Sequence, residues 1–274
     1  MAAPCRLRTA VPGDLAVRVQ RRGDQTSMLG SSVVRPMWLI LMAAATLPAQ
    51  FTTRLSPATE QAFEDYRKPA EARMNWVARF TAAPSAGITI APFGREGFVS
   101  VPHGMIHDWA AATVAHGATV DKVLAILQNY DGYKSVYAPE VTDSKLLSRE
   151  GNSWRAYLRI VKHQGLTAVL NSEYDVEYRP LDQGRWAVIS RSIKMTELDG
   201  ARELAPGTGH GFLWRLNAYW LMEPRPNGVY LECRTISLSR DIPTGLGWAI
   251  RPLVASLPRD SLEATLEATV RALR

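Results

Sequence analysis

The chain has 274 residues, of which 46% are hydrophobic and 21% charged, a balance typical of a globular protein with a sizeable core. Most of its net charge of +6 lies in the first 49 residues, because the remainder carries 26 basic and 24 acidic side chains. No cluster of Lys and Arg interleaved with aromatic residues follows, so the sequence indicates no nucleic-acid partner.

Residues 1–49 form a leader, and residues 28–49 within it are typical of a signal peptide. Arg35 precedes an apolar run at residues 37–47, which is short for a membrane span. Small residues follow, so we expect cleavage after Ala49. An uncleaved anchor is the alternative. Either way, the sequence predicts a periplasmic or secreted protein with possible transient membrane contact.

Residues 50–104 predict an N-terminal helix and a linker. Ser56 followed by Pro57 is the preferred start of a helix, with a capping hydroxyl and then proline at the first helical position. We expect this helix to run to about Phe80. Residues 83–104 are rich in Gly and Pro and predict a loop with short strands.

Residues 105–274 change from helices to strands and back to a helix. A strand at 106–115 precedes a helix at 118–128 and a short helix at 130–137, which Pro139 ends. The predicted strands that follow are 144–149, 154–163, 166–178, 185–195, 212–222 and 229–240, with turns at 150–152, 182–184 and 226–228. The last helix has an apolar stripe of Leu262, Leu266, Val270 and Leu273, and Pro243, Pro252 and Pro258 predict that its approach is broken into short pieces.

These elements predict an α+β fold, in which the last helix covers one face of an antiparallel sheet. Arg155 and Arg159 alternate with apolar residues, and acidic residues alternate in the same way between residues 171 and 178. A hairpin would therefore place the arginines opposite the acids on the solvent face. Cys233 lies in an apolar alternation and is expected to be a small buried core residue.

Several strings resemble the START-like, Bet v 1-like superfamily, also called the polyketide cyclase and coenzyme Q-binding group (SRPBCC). They are residues 118–123 (ATVDKV), 128–133 (QNYDGY), 139–141 (PEV) with 144–148, and 257–262 (LPRDSL). The strings at 107–109 (HDW) and 211–217 (GFLWRLN) are similar to those of uncharacterised secreted bacterial members. The resemblance implies a helix-grip fold, in which a curved antiparallel sheet wraps around a long C-terminal helix and an apolar cavity.

Members of this group bind lipids, sterols, quinones or polyketides, and some catalyse cyclisation or hydrolysis, so the resemblance implies a hydrophobic small-molecule ligand. Together with the leader, this predicts that the protein binds or carries such a ligand outside the cytoplasm. The expected wall residues are large and apolar and lie on the predicted strands and last helix. They are Trp109, Tyr174, Val176, Trp214, Leu216, Trp220, Leu262 and Leu266. Trp214, Leu216, Ala218 and Trp220 share one strand face, which fits a core strand as well as a cavity wall. Thr265 and Thr269 flank the helix stripe and could offer hydroxyls to a headgroup.

Two other functions stay open: a cyclase- or hydrolase-type enzyme on the same fold, and an envelope or stress protein that acts through its surface. His163, Arg191 and Tyr157 could supply acid–base groups, but no spacing brings them together. His103 and His107 are four residues apart, which on a strand is about 13 Å and too far to share an ion. We therefore expect no metal, cofactor or assigned catalytic residue.

Overall fold

The computed structural model describes residues 52–80, 87–93, 96–164, 166–241 and 247–274, with side chains given for all of these except residues 164, 166 and 247–255. The predicted leader and Pro243 lie outside the described residues. Within the described ranges, no helix has both the length and the apolar character needed to cross a membrane.

Antiparallel strands are the most numerous elements of the described residues, with one α-helix before the long strands, two among them and one after. In chain order the elements are β1 (Thr53–Arg54), α1 (Pro57–Ala72), β2 (Thr89–Pro92), β3 (Phe98–Val101), β4 (Gly104–His116), α2 (Val120–Gln128), a 3-10 turn (Tyr130–Gly132), α3 (Tyr133–Val136), β5 (Val141–Glu150), β6 (Ser153–Gln164), β7 (Leu166–Pro180), a 3-10 turn (Asp182–Gly184), β8 (Trp186–Asp199), β9 (Arg202–Glu203), β10 (Thr208–Gly209), β11 (Arg215–Arg225), β12 (Gly228–Arg240) and α4 (Gly247–Ala272).

The main sheet has the order β2-β4-β12-β11-β8-β7-β6-β5, with β3 added to β4 and β9 to β8, and all pairs are antiparallel. The predicted turns at 150–152, 182–184 and 226–228 join its hairpins. Arg155 pairs with Asp175 across β6 and β7 and forms an ion pair of 3.0 Å, as the hairpin alternation predicted. The α+β helix-grip prediction is confirmed.

Helix α1 begins as predicted but ends earlier. The Ser56 hydroxyl accepts a hydrogen bond from the Thr59 N–H at 3.1 Å, which caps the helix. The expected end near Phe80 is wrong, because the helix ends at Ala72. Beyond it the apolar residues alternate with period two, at Met74, Trp76, Ala78 and Phe80, and they pack against the outer face of the sheet without forming a helix.

Helix α4 is continuous, and the predicted break into short pieces is wrong for the described residues. It passes through Pro252 and Pro258 without ending. A proline inside a helix removes one backbone hydrogen bond and can bend the helix without stopping it. The two prolines therefore leave one helix of 26 residues to lie against the sheet.

The sheet has an inner face toward α4 and an outer face toward α1. On the inner face, Ala111 of β4 and Cys233 of β12 pack in one cluster with Leu266 of α4, and Cys233 is buried as predicted. At the other end of the sheet, the Lys162 ammonium of β6 donates to the Ser261 hydroxyl of α4 at 2.7 Å. Strands far apart in the sheet thus reach the same helix, so the sheet wraps around it.

The outer face binds α1 through an apolar contact and a buried ion pair. Phe63 of α1 is 1% exposed in a cluster with Ile106 and Leu238. Asp108 of β4, 1% exposed, is bound by the Arg234 guanidinium at 2.6 and 2.8 Å. The Tyr66 hydroxyl of α1 donates to the same carboxylate at 2.7 Å. The N-terminal helix is therefore a second covering layer of the sheet.

Candidate functional site

One end of the inner face is densely filled with aromatic side chains. Trp154 and Tyr178 pack with ring centroids 4.9 Å apart, and the Tyr130 and Tyr178 hydroxyls lie 3.0 Å apart. The Tyr178 hydroxyl also donates to the Leu127 carbonyl at 2.5 Å, which joins the sheet to α2. This end of the inner face is therefore part of the packed core.

The middle of the inner face is partly exposed. Trp109, Thr235, Ala218 and Ser190 are directly paired neighbours across β4, β12, β11 and β8, and we call them the central row. Each lies on an interior strand, on the face of the sheet that carries α4, and each is only partly buried. The central row is therefore a strip of the inner face that remains accessible to solvent.

The adjacent row on the same face is rich in hydrogen-bonding groups. His107 pairs with Ser237 of β12, which pairs with Leu216 of β11. The Leu216 N–H donates to the Ser192 hydroxyl at 2.9 Å, and Ser192 pairs with Tyr174 of β7. We call these five residues the polar row. The two rows together offer hydroxyl groups, one imidazole and apolar surface.

Two buried polar atoms of the polar row have no hydrogen-bond partner in the described part of the chain: Nδ1 of His107 and the Tyr174 hydroxyl. His107 uses its other ring nitrogen, 3.2 Å from the Ser239 hydroxyl. The hydroxyl of Ser172 donates to the Leu158 carbonyl at 2.9 Å and not to Tyr174. A buried polar atom without a partner costs about 1–3 kcal/mol, so both atoms would be stabilised by a hydrogen bond from or to a further polar group.

The polar row is electrically neutral at physiological pH. Burial lowers the pKa of His107 to about 4 and raises that of Tyr174 to about 12, so neither side chain carries a charge near pH 7. An imidazole with so low a pKa is a weak general base, and the His107–Ser239 pair therefore suits hydrogen bonding better than proton transfer.

The lowered pKa of His107 predicts a loss of stability in acid. Above pH 6.5 the residue is neutral in both states and contributes nothing to the pH dependence. Between pH 6.5 and 4 it takes up a proton only when unfolded, so the free energy of unfolding falls by up to about 3 kcal/mol. Urea unfolding of wild type and His107→Gln at pH 7 and pH 4.5 measures this contribution. An equal pH dependence in the two proteins would contradict it.

Seven of the eight predicted wall residues gather around the inner face. Trp109 and Val176 lie in or beside the central row, Leu216 and Tyr174 in the polar row, and Trp220, Leu262 and Leu266 in the core cluster beside them. The predicted facing of Trp214 is wrong. It packs with Phe63 and Ile106 on the outer side, because it precedes the first residue of β11 and does not follow the alternation of that strand.

The other residues considered from the sequence lie apart and are engaged elsewhere. His163 contacts the Thr167 hydroxyl, Tyr157 donates to Asn171, and Arg191 binds Glu71. The hydroxyls of Thr265 and Thr269 donate to carbonyls of their own helix. His103 is exposed in the turn before β4. None of these side chains reaches the central row.

The sequence reasoning missed His107, Ser190, Ser192, Thr235 and Ser237 as site residues. A signal for three of them was present, because His107 lies two residues before Trp109, and Thr235 and Ser237 lie two and four after Cys233. Residues two apart on a strand share a face. The choice of large apolar side chains as wall residues passed over these smaller polar ones.

The solved structures to which this chain is similar are START-related and aromatase/cyclase proteins. A fragment of a STAR-related lipid transfer protein from Xanthomonas axonopodis is 19% identical, covers 69% of this chain and 99% of its own, and has a TM-score of 0.47. The human StarD13 lipid transfer and protein localization domain is 11% identical, with coverages of 81% and 99% and a TM-score of 0.44. The Zhui aromatase/cyclase from Streptomyces sp. R1128 is 17% identical, with coverages of 62% and 94% and a TM-score of 0.40. No family model and no curated protein matches the chain.

Proposed function

We propose that this protein binds or carries an uncharged hydrophobic small molecule, such as a lipid, a quinone or a polyketide-like compound, in the groove between its sheet and α4. The observation that carries the proposal is the central row, which stays partly exposed on the face that carries α4, in the middle of a long sheet. Apolar surface there gains roughly 25 cal/mol per Å² when a ligand covers it.

The polar row supports the same function by offering a few fixed hydrogen-bonding groups beside the apolar floor. Ligand sites are commonly apolar pockets with a small number of polar groups that orient the ligand. The unpartnered atoms of His107 and Tyr174 are such groups, and both residues are neutral. A ligand with one carbonyl or hydroxyl group on an apolar body matches this arrangement.

Filling the groove is the test of this proposal. Ala218→Trp places an indole in the middle of the central row, so we expect it to weaken binding of the uncharged fluorescent probe diphenylhexatriene by roughly tenfold or more, since a blocked floor loses most of its apolar contact. The measurement is a fluorescence titration of the purified protein.

Ala201→Trp is the matched control, since Ala201 is exposed in the turn between β8 and β9 and lies outside the groove. It is expected to bind the probe as the wild type does. Equal binding by wild type and Ala218→Trp, with both folded, would contradict a ligand site at the central row.

The site of action that we propose is the periplasm or the extracellular space. Support comes from the sequence of the leader, with Arg35 before the apolar run and small residues up to Ala49. The mature chain would then begin near Gln50, which N-terminal sequencing of the protein from its native host tests. An intact leader in a cytosolic fraction would contradict export.

A further inference from the structure

The outer face carries a pocket that plays no part in the proposed groove. It has a volume of about 420 Å³ and lies beside the end of α1, within the 300–1,000 Å³ typical of ligand sites. Its lining comes from α1, from the segment after it, and from β7, β8 and β11: Lys68, Glu71, Ala72, Met74, Trp76, Arg179, Ile189, Arg191 and Tyr219.

Fixed elements hold the walls of this pocket in place. The segment after α1 turns at Trp76, which has a positive φ of 53°. The Trp76 carbonyl accepts a hydrogen bond from Arg185, the residue before β8, at 2.8 Å, and the Arg79 N–H donates to Glu232 of β12 at 2.9 Å. The segment is thus tied down at its turn and again three residues later, so the pocket is a built cleft and not a gap under a loose loop.

The floor of the pocket is apolar and its rim is basic. Ile189 and Tyr219 are each 3% exposed at the bottom, and Met74 and Trp76 add apolar surface at the side. Among the lining residues, Lys68, Arg179 and Arg191 are basic and Glu71 is acidic. Glu64 lies 3.8 Å from Lys68, and Glu177 lies 2.7 Å from Arg179. With Arg67, which binds both Glu64 and Glu71, the rim network has four cations and three carboxylates and keeps an excess of positive charge.

Glu71 is shared between Arg67 and Arg191, so it offsets only part of the positive charge of the rim. Its side chain binds Arg67 at 2.8 Å and Arg191 at 3.0 Å, and accepts a hydrogen bond from the Tyr219 hydroxyl at 2.5 Å. These contacts fix Arg191 through two of its nitrogens, Nε and Nη2. Arg179 uses the same two nitrogens for Glu177, so the contacts of both arginines leave Nη1 for an acceptor in the cleft.

We propose that this outer pocket is a second ligand site, specific for a small amphipathic anion whose carboxylate binds the Lys68, Arg179 and Arg191 rim and whose apolar body lies on Ile189, Met74 and Trp76. Charge-assisted hydrogen bonds from guanidinium groups are suited to carboxylates. The site is separate from the groove, because it lies on the opposite face of the sheet.

The test compares a carboxylate probe with its uncharged amide by calorimetric titration of the full chain. Naphthoate is expected to bind saturably, and naphthamide at least about tenfold more weakly, since it lacks the charge that the rim recognises. The double variant Lys68→Gln/Arg179→Gln should weaken naphthoate binding by roughly ten- to hundredfold, because it removes two exposed cations of the rim that do not themselves pair with Glu71.

Two variants with substitutions outside the pocket serve as controls. Arg155→Gln removes an exposed, ion-paired arginine from the same face outside the pocket and should bind naphthoate as the wild type does. Ala218→Trp fills the proposed inner groove and should also leave naphthoate binding unchanged. The proposal for the outer pocket is therefore tested independently of the proposal for the groove. The proposal is overturned if naphthoate does not bind, if naphthamide binds equally well, or if Ala218→Trp abolishes naphthoate binding while the double variant retains it.

Discussion

Leu266→Asp is expected to lower the free energy of unfolding by at least about 4 kcal/mol, because it removes a fully buried side chain and leaves a carboxylate without a partner. Leu266 is 0% exposed between α4 and the sheet, next to Leu262. Since the free energy of unfolding of a domain is only about 5–15 kcal/mol, the variant should be barely stable or insoluble. Urea unfolding followed by circular dichroism measures the loss.

Glu267→Asp is the matched control, because it creates the same residue one position later on the exposed side of α4. Its unfolding should differ from that of wild type by less than about 0.5 kcal/mol. Truncation after Pro258 extends the test by removing Leu262, Leu266, Val270 and Leu273 together, and it should leave a molten or insoluble chain. A truncated protein with a sharp cooperative melt would refute the helix grip.

The buried ion pair of the outer face predicts the second large effect. Asp108→Ala leaves Arg234, only 12% exposed, without its carboxylate and removes the acceptor of Tyr66. Breaking a buried pair from one side costs about 3–5 kcal/mol, since the remaining charge is buried and uncompensated. We therefore expect Asp108→Ala to unfold at a much lower urea concentration than the wild type. We also expect α1 to be held less firmly against the sheet, because Tyr66 loses its acceptor.

Asp175→Ala provides the comparison, because it breaks an ion pair with Arg155 on the same face in which both side chains are about half exposed. That loss should stay below about 1 kcal/mol. Replacing both partners of the buried pair, as in Asp108→Leu/Arg234→Met, should recover much of the stability lost in Asp108→Ala. Equal costs for Asp108→Ala and Asp175→Ala would show that the burial of Asp108 has no energetic role.

The strands were predictable because antiparallel hairpins leave two local signals in a sequence, alternation and turn residues. The turn at 226–228 and the opposed Arg155 and Asp175 followed from these signals alone. Helix ends were less predictable. Apolar residues continue to Phe80 although α1 ends at Ala72, and α4 passes through Pro252 and Pro258 without ending, so neither an apolar run nor a proline is enough to locate a helix end.

The sequence predicted which face of the sheet carries the candidate site, but not which part of that face is filled and which part stays exposed. Alternation located the face on which Trp109, Tyr174 and Leu216 meet. Which part of that face is filled and which stays open depends on how α4 and α2 pack over it, and no local pattern records that packing. The outer pocket had no local signal at all, because it forms only where the segment after α1 turns back over the sheet.

The most direct test of the ligand-binding claim is native mass spectrometry of the protein purified from its native host, followed by extraction with organic solvent. We predict that the wild type carries one hydrophobic molecule that is released on denaturation, and that Ala218→Trp, prepared in the same way, carries none. Ala201→Trp should retain it. A folded wild-type protein with equal native and denatured masses, and with no extracted molecule in molar proportion, would contradict the account.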